Sequence, residues 1–330
     1  MKKIKEDRLK QLLKNCHGKN IAVIGDIMVD RYIWGKVSRI SPEAPVPVVE
    51  VNEEFSRIGG AGNVANNILS LGGNPLLFGI IGKDHAGKEL ISRMEIKGLD
   101  PVGLVEDEAR PTTVKTRIIA HNQHVVRADF ESKERISKTI EKNLLKQLKE
   151  EIGRLDGIIL QDYNKGVLTR KVIREVIDMS GNYDFPITVD PKFNHFFEYK
   201  GVDLFKPNII ETQNALGFAL DSEESVLKAG RELLERLKCE HVLITRGSAG
   251  MSLFSKDGYE GRVTTKAKEI ADVSGAGDTV ISTLTMILAA GGDVREASSI
   301  ANHAAGVVVG EVGIVAIEPQ KIMESFKNNE

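Results

Sequence analysis

The sequence predicts an α/β protein of three layers, with helices on both faces of a mostly parallel central sheet and a small antiparallel β lid. Three observations predict it. Short apolar runs recur at 21–24, 76–81, 157–160, 187–189, 204–205 and 242–244. Charged stretches of helical period lie between several of them, at 138–151, 169–179 and 222–237. Two segments of β character break the alternation, at 31–55 and 112–130. Strands alternating with helices make a parallel sheet covered on both faces, and a strand buried on both faces reads as a continuous apolar run.

Taken in order, residues 4–13 form an amphipathic opening helix, and the run 21–24 stops at Gly25-Asp26. The segment 31–55 is interrupted by Pro42, Pro45 and Pro47 before Val48-Val49-Glu50-Val51, and 112–130 is rich in Thr, Val and Ile, which favour extended chain. The lid is therefore assigned to about 31–56 and 112–130. The apolar stretch 279–290 suits a buried helix and is too short to span a bilayer. With no Ser- or Gly-rich linker, repeat or low-complexity tract, residues 1–330 are expected to form one domain plus the lid.

Composition sets the outer limits. Of 330 residues 41% are hydrophobic and 28% charged, as in ordinary globular proteins, and the 5% of aromatics leaves the core to Ile, Leu, Val and Ala. A net charge of −2 carries no nucleic-acid footprint. Cys16 and Cys239 form neither a metal-ligand spacing nor a disulfide framework, and suit reduced thiols of a cytosolic protein. Residues 1–19 lack the apolar core of a signal peptide, so neither export nor a membrane partner is expected.

The most informative segment is Asp272-Val273-Ser274-Gly275-Ala276-Gly277-Asp278, which leads straight into the apolar helix. A helix that starts at glycines offers unpaired N–H groups and the positive end of its dipole, a ready phosphate site. A carboxylate beside it can take a proton from an attacking hydroxyl, and phosphoryl transfer needs little more. A lone Gly-x-Gly-Asp is more often a helix cap; the second acid, Asp272, and matching signals elsewhere shift the balance. Gly59-Gly60-Ala61-Gly62-Asn63 also precedes a helical run, and Asn63 can both donate to and accept from sugar hydroxyls. No Gly-Lys-Ser/Thr follows, so this is not a Walker loop. Lys206-Pro207-Asn208-Ile209-Ile210-Glu211 places an amide and a carboxylate three apart. They could hold Mg²⁺ through water, although the spacing alone fits a capping box better. Gly25-Asp26 with Asp30, Asp162-Tyr163-Asn164-Lys165-Gly166, Asp190-Pro191-Lys192 and Thr245-Arg246-Gly247 each follow an apolar run. Singly they read as turns; together they fall on the strand ends, where open α/β sheets bind ligands.

The glycine, Asn-x-x-Glu and Asp272–Asp278 motifs together resemble the PfkB (ribokinase-like) carbohydrate kinases, over about residues 20–319. A narrower resemblance, to the D-glycero-β-D-manno-heptose-7-phosphate kinases, rests on Gly25-Asp26-Ile27-Met28-Val29-Asp30-Arg31-Tyr32 and on Arg39-Ile40-Ser41-Pro42-Glu43-Ala44-Pro45-Val46-Pro47-Val48. Asp162-Tyr163-x-Lys165-Gly166, Asp190-Pro191-Lys192 and the run from Ala301-Asn302 to Val309-Gly310 add to it. The resemblance implies a ribokinase-like fold and transfer of the ATP γ-phosphoryl group, with Mg²⁺, to the anomeric hydroxyl of the heptose 7-phosphate, for ADP-heptose and lipopolysaccharide core synthesis. The chain has no His-x-Gly-His nucleotidyltransferase signature, so only the kinase step is expected.

The resemblance makes Asp278 the base and Gly275, Ala276 and Gly277 the anion hole. Asn208 and Glu211 would organise Mg²⁺ and phosphates, and Thr245, Gly247, Ser274 and Asn302 would hold the nucleotide. Asp26, Gly60, Asn63 and Asp162 would hold the sugar. For the substrate's phosphate, Lys192, Arg117 and Arg127 are the cationic candidates, the arginines offering a planar fork. The lid would close over the sugar and form a homodimer contact. Glu311-Val312-Gly313-Ile314 stands where Lys-x-Gly-Thr is expected, which puts K⁺ activation in question more than catalysis. A kinase for ribose or fructose 6-phosphate would share the ATP motifs and differ in the pocket. A non-catalytic sugar- or nucleotide-binding regulator is disfavoured by the presence of Asp278, Asn208 and Glu211 together, and a hydride-transferring enzyme by the context of the glycine loops.

Overall fold

The computed structural model describes residues 4–121, 123–264, 273–311, 313 and 315–327. In chain order the strands are β1 (Asn20–Gly25), β2 (Ile27–Ile40), β3 (Pro47–Gly60), β4 (Asn74–Gly82), β5 (Leu104–Asp107), β6 (Thr113–Ala120), β7 (Gln123–Phe130), β8 (Gly157–Gln161), β9 (Ile187–Asp190), β10 (Leu204–Phe205), β11 (His241–Thr245), β12 (Met251–Ser255) and β13 (Glu260–Val263). The helices are α1 (Glu6–Asn15), α2 (Ala61–Ser70), α3 (His85–Ile96), α4 (Lys138–Glu151), α5 (Arg170–Ser180), α6 (Ile209–Leu216), α7 (Glu223–Leu237), α8 (Ala276–Ala289), α9 (Val294–Val308) and α10 (Pro319–Lys327).

Among the described residues the main sheet runs β13-β12-β11-β10-β9-β8-β1-β4-β5. The pairings from β11 through β10, β9, β8, β1 and β4 to β5 are parallel, and only β12 and β13 at one edge run antiparallel. Side-chain alternation divides each strand between two cores. Ile21 and Val23 of β1 join one core with residues of α1, α2, α3, α8, α9 and α10, while Ala22 and Ile24 join the other with residues of α4, α5 and α7. Burial on both faces is what makes the central strands continuous apolar runs. The peripheral helices are amphipathic and begin at polar caps. Ser137 accepts from the Ile140 N–H to start α4, and Thr169 from the Val172 N–H to start α5.

A second sheet, β3-β2-β6-β7, stands beside the first. Its strands reach further than the 31–56 boundary expected from sequence. The extra residues at the start of β2, Ile27 to Val29, are buried, so they lack the in–out alternation that marks the rest of the strand. β2 pairs antiparallel with β3, and β6 with β7, while β2 and β6 run parallel. All eight residues of β7 are exposed. The strands β5, β12 and β13, at the two edges of the main sheet, lie outside the apolar runs of the sequence.

The parallel arrangement positions the site. Gly25, Gln161, Asp190 and Thr245 end their strands on one edge, with Gly25 opposite Gln161 and Gln161 opposite Asp190. No helix among the described residues is long and apolar enough to cross a membrane.

Candidate active site

Two glycine-started helices meet at this edge. Gly60 precedes α2 with φ +60°, and Gly275 precedes α8 with φ +81°; neither helix has a side-chain cap. An L-residue at Gly275 would be held in the left-handed region at a cost of about 1–2 kcal/mol. Gly59 is required for a different reason: a Cβ there would lie 2.0 Å from Asp30 Oδ2. The Ala276 N–H is partly used by the turn, donating to the Val273 carbonyl at 3.3 Å. Gly277 and Asp278 follow in the first turn, where N–H groups have no partner within the helix.

Asp278 sits at the third position of α8 and is 7% exposed. Asn63 Nδ2 donates to its Oδ2 at 2.7 Å, and Tyr163 OH donates to its Oδ1 at 2.6 Å. Gln161 Nε2 approaches the same Oδ1 at 3.4 Å and donates to Asp190 Oδ2 at 3.1 Å. Lys206 Nζ closes the chain, 3.0 Å from Asp190 Oδ1, in an ion pair with almost no exposure. Burial, reinforced by the negative charge of Asp190, pushes the Asp278 carboxyl up to about 6, while the bonds from Asn63 and Tyr163 and the charge of Lys206 oppose the rise. A carboxylate so placed can accept a proton near neutral pH. Burial also raises the Tyr163 phenol well above its ordinary value, with the Asp278 charge adding to the rise, so its hydroxyl remains a donor.

Beside this cluster, Thr245, Gly247, Met251, Val280, Asn302 and Val309 help to line a largely apolar cavity of about 190 Å³ that reaches Ala276 and Gly277. Asn302 Nδ2 donates to the Thr264 carbonyl at 3.0 Å. Ser274 lies in the turn before Gly275. The cavity joins Thr245, Gly247 and Asn302 to the α8 N-terminus, in a place that suits a nucleotide base and its phosphates.

Asn208 and Glu211 form the capping box that their spacing suggested. Asn208 Oδ1 accepts from the Glu211 N–H at 2.8 Å, and Glu211 Oε2 accepts from the Asn208 N–H at 2.9 Å. Glu211 Oε1 is paired with Lys192. No group of three or more His, Cys, Asp and Glu side chains among the described residues is placed to enclose a metal. One carboxylate and one amide nevertheless fit Mg²⁺, which keeps most of its water and leans on few protein ligands.

The other residues singled out from the sequence are dispersed. Asp26 is 1% exposed, and its Oδ2 accepts the N–H groups of Tyr163 at 2.8 Å and Lys165 at 3.0 Å, while Oδ1 accepts that of Val167 at 3.2 Å. Burial raises its pKa, and these three backbone donors oppose the rise. Asp162 accepts the N–H of Asn164 through Oδ1 at 2.7 Å. It accepts from Tyr199 OH at 2.8 Å and lines a separate cavity of about 310 Å³ with Lys133, Arg135 and His195. Arg117 donates to Asp30 Oδ1 at 2.5 Å and lies over the Tyr32 ring, while Arg127 pairs with Asp129 at 2.9 Å. Each of the three cations nominated for the substrate's phosphate thus has an acidic partner. Asp272, and Val312 and Ile314 of the segment bearing on K⁺, lie outside the described residues. Sequence reasoning did not name Gln161, and named Asp30, Tyr163, Asp190 and Lys206 only within strand-end motifs, with no individual role. The available signal was their place at the ends of the apolar runs.

Residues 19–321 match the family described as pfkB family carbohydrate kinase. The bifunctional protein HldE of Geobacter sulfurreducens is 43% identical over 307 residues, 93% of this chain and 63% of the relative. That of Helicobacter pylori is 44% identical over 295 residues, 89% of this chain and 64% of the relative. The chain thus spans less than two thirds of the length of these curated relatives. Among solved structures, phosphofructokinase-2 from Escherichia coli in complex with potassium superposes with a TM-score of 0.78 at 18% identity, covering 94% of this chain and 99% of that one. Ribokinase of Arabidopsis thaliana complexed with ribose and ATP gives 0.74 at 18%, with the same coverage. At such identity these structures share the ribokinase-like fold.

Proposed function

The chain belongs to the pfkB family of carbohydrate kinases, and we propose that it transfers the γ-phosphoryl group of ATP to the anomeric hydroxyl of D-glycero-β-D-manno-heptose 7-phosphate, giving the 1,7-bisphosphate. The observation that carries phosphoryl transfer is Asp278, a buried carboxylate raised to about 6, in the first turn of an uncapped helix beside an apolar cavity. The heptose is supported by the strand-end motifs around Asp26 to Tyr32 and Asp162 to Gly166, and by 41–44% identity to the HldE proteins.

Asp278 takes the sugar's proton. The first-turn N–H groups of α8 stabilise the charge that grows on the transferring group. Mg²⁺, held with the phosphates by Glu211 and Asn208, would supply further charge neutralisation. The sugar lies between Asn63, the Gly59–Gly60 turn and Asp30, whose Oδ2 faces that turn. The small sheet acts as the lid that keeps water from the phosphoryl group and provides a homodimer contact. The substrate's phosphate is taken by Arg117, Lys192 or Arg127 after exchange of their acidic partners.

The test is ATP consumption across heptose 7-phosphate, fructose 6-phosphate and ribose, with ³¹P NMR of the products. A new anomeric phosphate on the heptose with little turnover of the others is expected. Efficient turnover of another sugar instead would discard the heptose and keep the base.

A further inference from the structure

Asp26 directly follows the first strand, where the resemblance would have it touch the sugar, and its carboxylate is engaged by backbone. Three N–H groups, those of Tyr163, Lys165 and Val167, converge on its two oxygens within 3.2 Å. A carboxylate with several backbone donors holds a loop in one conformation. Asn164, inside the clamped loop, has φ +55°, an uncommon geometry for a non-glycine residue. The loop carries a single side chain into the Asp278 cluster, that of Tyr163, whose hydroxyl donates to Asp278 Oδ1 at 2.6 Å. Lys192 Nζ, paired with Glu211, lies over the Tyr163 ring, 5.8 Å from its centroid, and gives the ring a second contact.

We propose that Tyr163, set by the Asp26 clamp, is a positioning residue for phosphoryl transfer: it orients the Asp278 carboxylate and keeps it ionised at working pH. The inference rests on the reading of Asp278 as the base. The groups that face Asp278 come from four elements. Asn63 of α2 donates to Oδ2, Tyr163 and Gln161 approach Oδ1 from the end of β8, Asp190 opposes ionisation from the end of β9, and Lys206 favours it from just beyond β10. Of these, Tyr163 gives the shortest bond, and its donor can be removed by deleting one oxygen.

A donor to a carboxylate favours the ionised form, so its loss raises the carboxyl's pKa. Tyr163→Phe keeps the ring and its contact with Lys192. The variant should shift the acid limb of the kcat–pH profile upward by about one pH unit. At pH 8 kcat should fall about tenfold through lost orientation, with the KM values for ATP and sugar within about twofold of the original. Asp26→Asn, read below its melting midpoint, should reproduce the shift, and the double variant should add nothing to it. An unmoved acid limb in Tyr163→Phe overturns the proposal, whatever Asp26→Asn does. A rise confined to the sugar KM in Asp26→Asn returns Asp26 to sugar binding and breaks the clamp. Asp278→Asn, assayed alongside, separates the two readings: if it turns over normally the base itself is wrong, whereas if it is inactive and the Tyr163→Phe limb is unmoved, only the positioning role fails.

Discussion

Two helices that begin at the ligand-binding edge have opposite starts. α6 opens with a closed capping box, Asn208 and Glu211 each satisfying the other's backbone N–H. α8 opens with a left-handed glycine and no side-chain cap. Most other helices follow α6: Asp84, Ser137, Thr169, Ser222 and Asp293 cap α3, α4, α5, α7 and α9. The other glycine start is α2, whose Asn63 touches Asp278. A side-chain cap stabilises a helix by about 1 kcal/mol. Forgoing it where two helices converge on one carboxylate leaves the first-turn N–H groups that follow Ala61 and Ala276 without a side-chain cap and open to an anion. At this edge, then, a missing cap marks chemistry better than the presence of a suggestive motif.

The largest blow to that contrast is Asp278→Asn. Turnover should fall about a thousandfold, with nucleotide affinity by calorimetry little changed because the open helix end survives. The same variant should be more stable at pH 8 by about 2 kcal/mol in denaturant titration, since a buried charge is removed. The sign follows from linkage: the folded pKa, about 6, lies above the ordinary 3.8, so the folded chain binds this proton more tightly. Asp278 therefore adds stability as pH falls from about 6 toward 4, while turnover declines over the same window. A variant that lost activity and stability together would point to a structural role.

Gly275→Ala tests the open start directly. It should lower kcat about thirtyfold by shifting the first turn, and lower stability by about 1–2 kcal/mol through strain at φ +81°. An unaffected kcat would show that the N–H groups of α8 do not serve the reaction. Glu211→Gln addresses the closed start and should have the smallest effect. It removes the partner of Lys192 and weakens the box, costing about 1 kcal/mol. The Mg²⁺ concentration for half-maximal rate should rise several-fold; an unchanged Mg²⁺ requirement with a lowered melting temperature would leave Glu211 as a cap alone.

Much of the main sheet was legible because its central strands are buried on both faces and so read as apolar runs. The glycines and Asp278 were legible because backbone demands leave few residue choices. The network around Asp278 was not, since Asn63 and Asp278 are 215 positions apart and Gln161 and Asp278 are 117 apart. Register alone, Gly25 against Gln161 and Gln161 against Asp190, brings those residues together. The cations Arg117, Arg127 and Lys192 were equally illegible as paired groups. Their acids sit on a neighbouring strand, two residues along, and on a later helix. The backbone bonds of Asp26 were illegible for a related reason: nothing in the local sequence tells that a loop 137 positions later will bring its N–H groups to that carboxylate.

β2 leaves the end of β1 after a single residue, and β3 runs without a break into α2. The hairpin arm between them is 14 residues long on each side, about 45 Å of extended chain. In mechanical terms it is a cantilever rooted at the Gly59–Gly60 turn and buttressed by β6 from Met28 to Gly35. A load on a beam held this way deflects its far tip most and its root least. The outer part of the arm is thus the part whose shape or sequence can change with least consequence for Asn63 and Asp278 at the root.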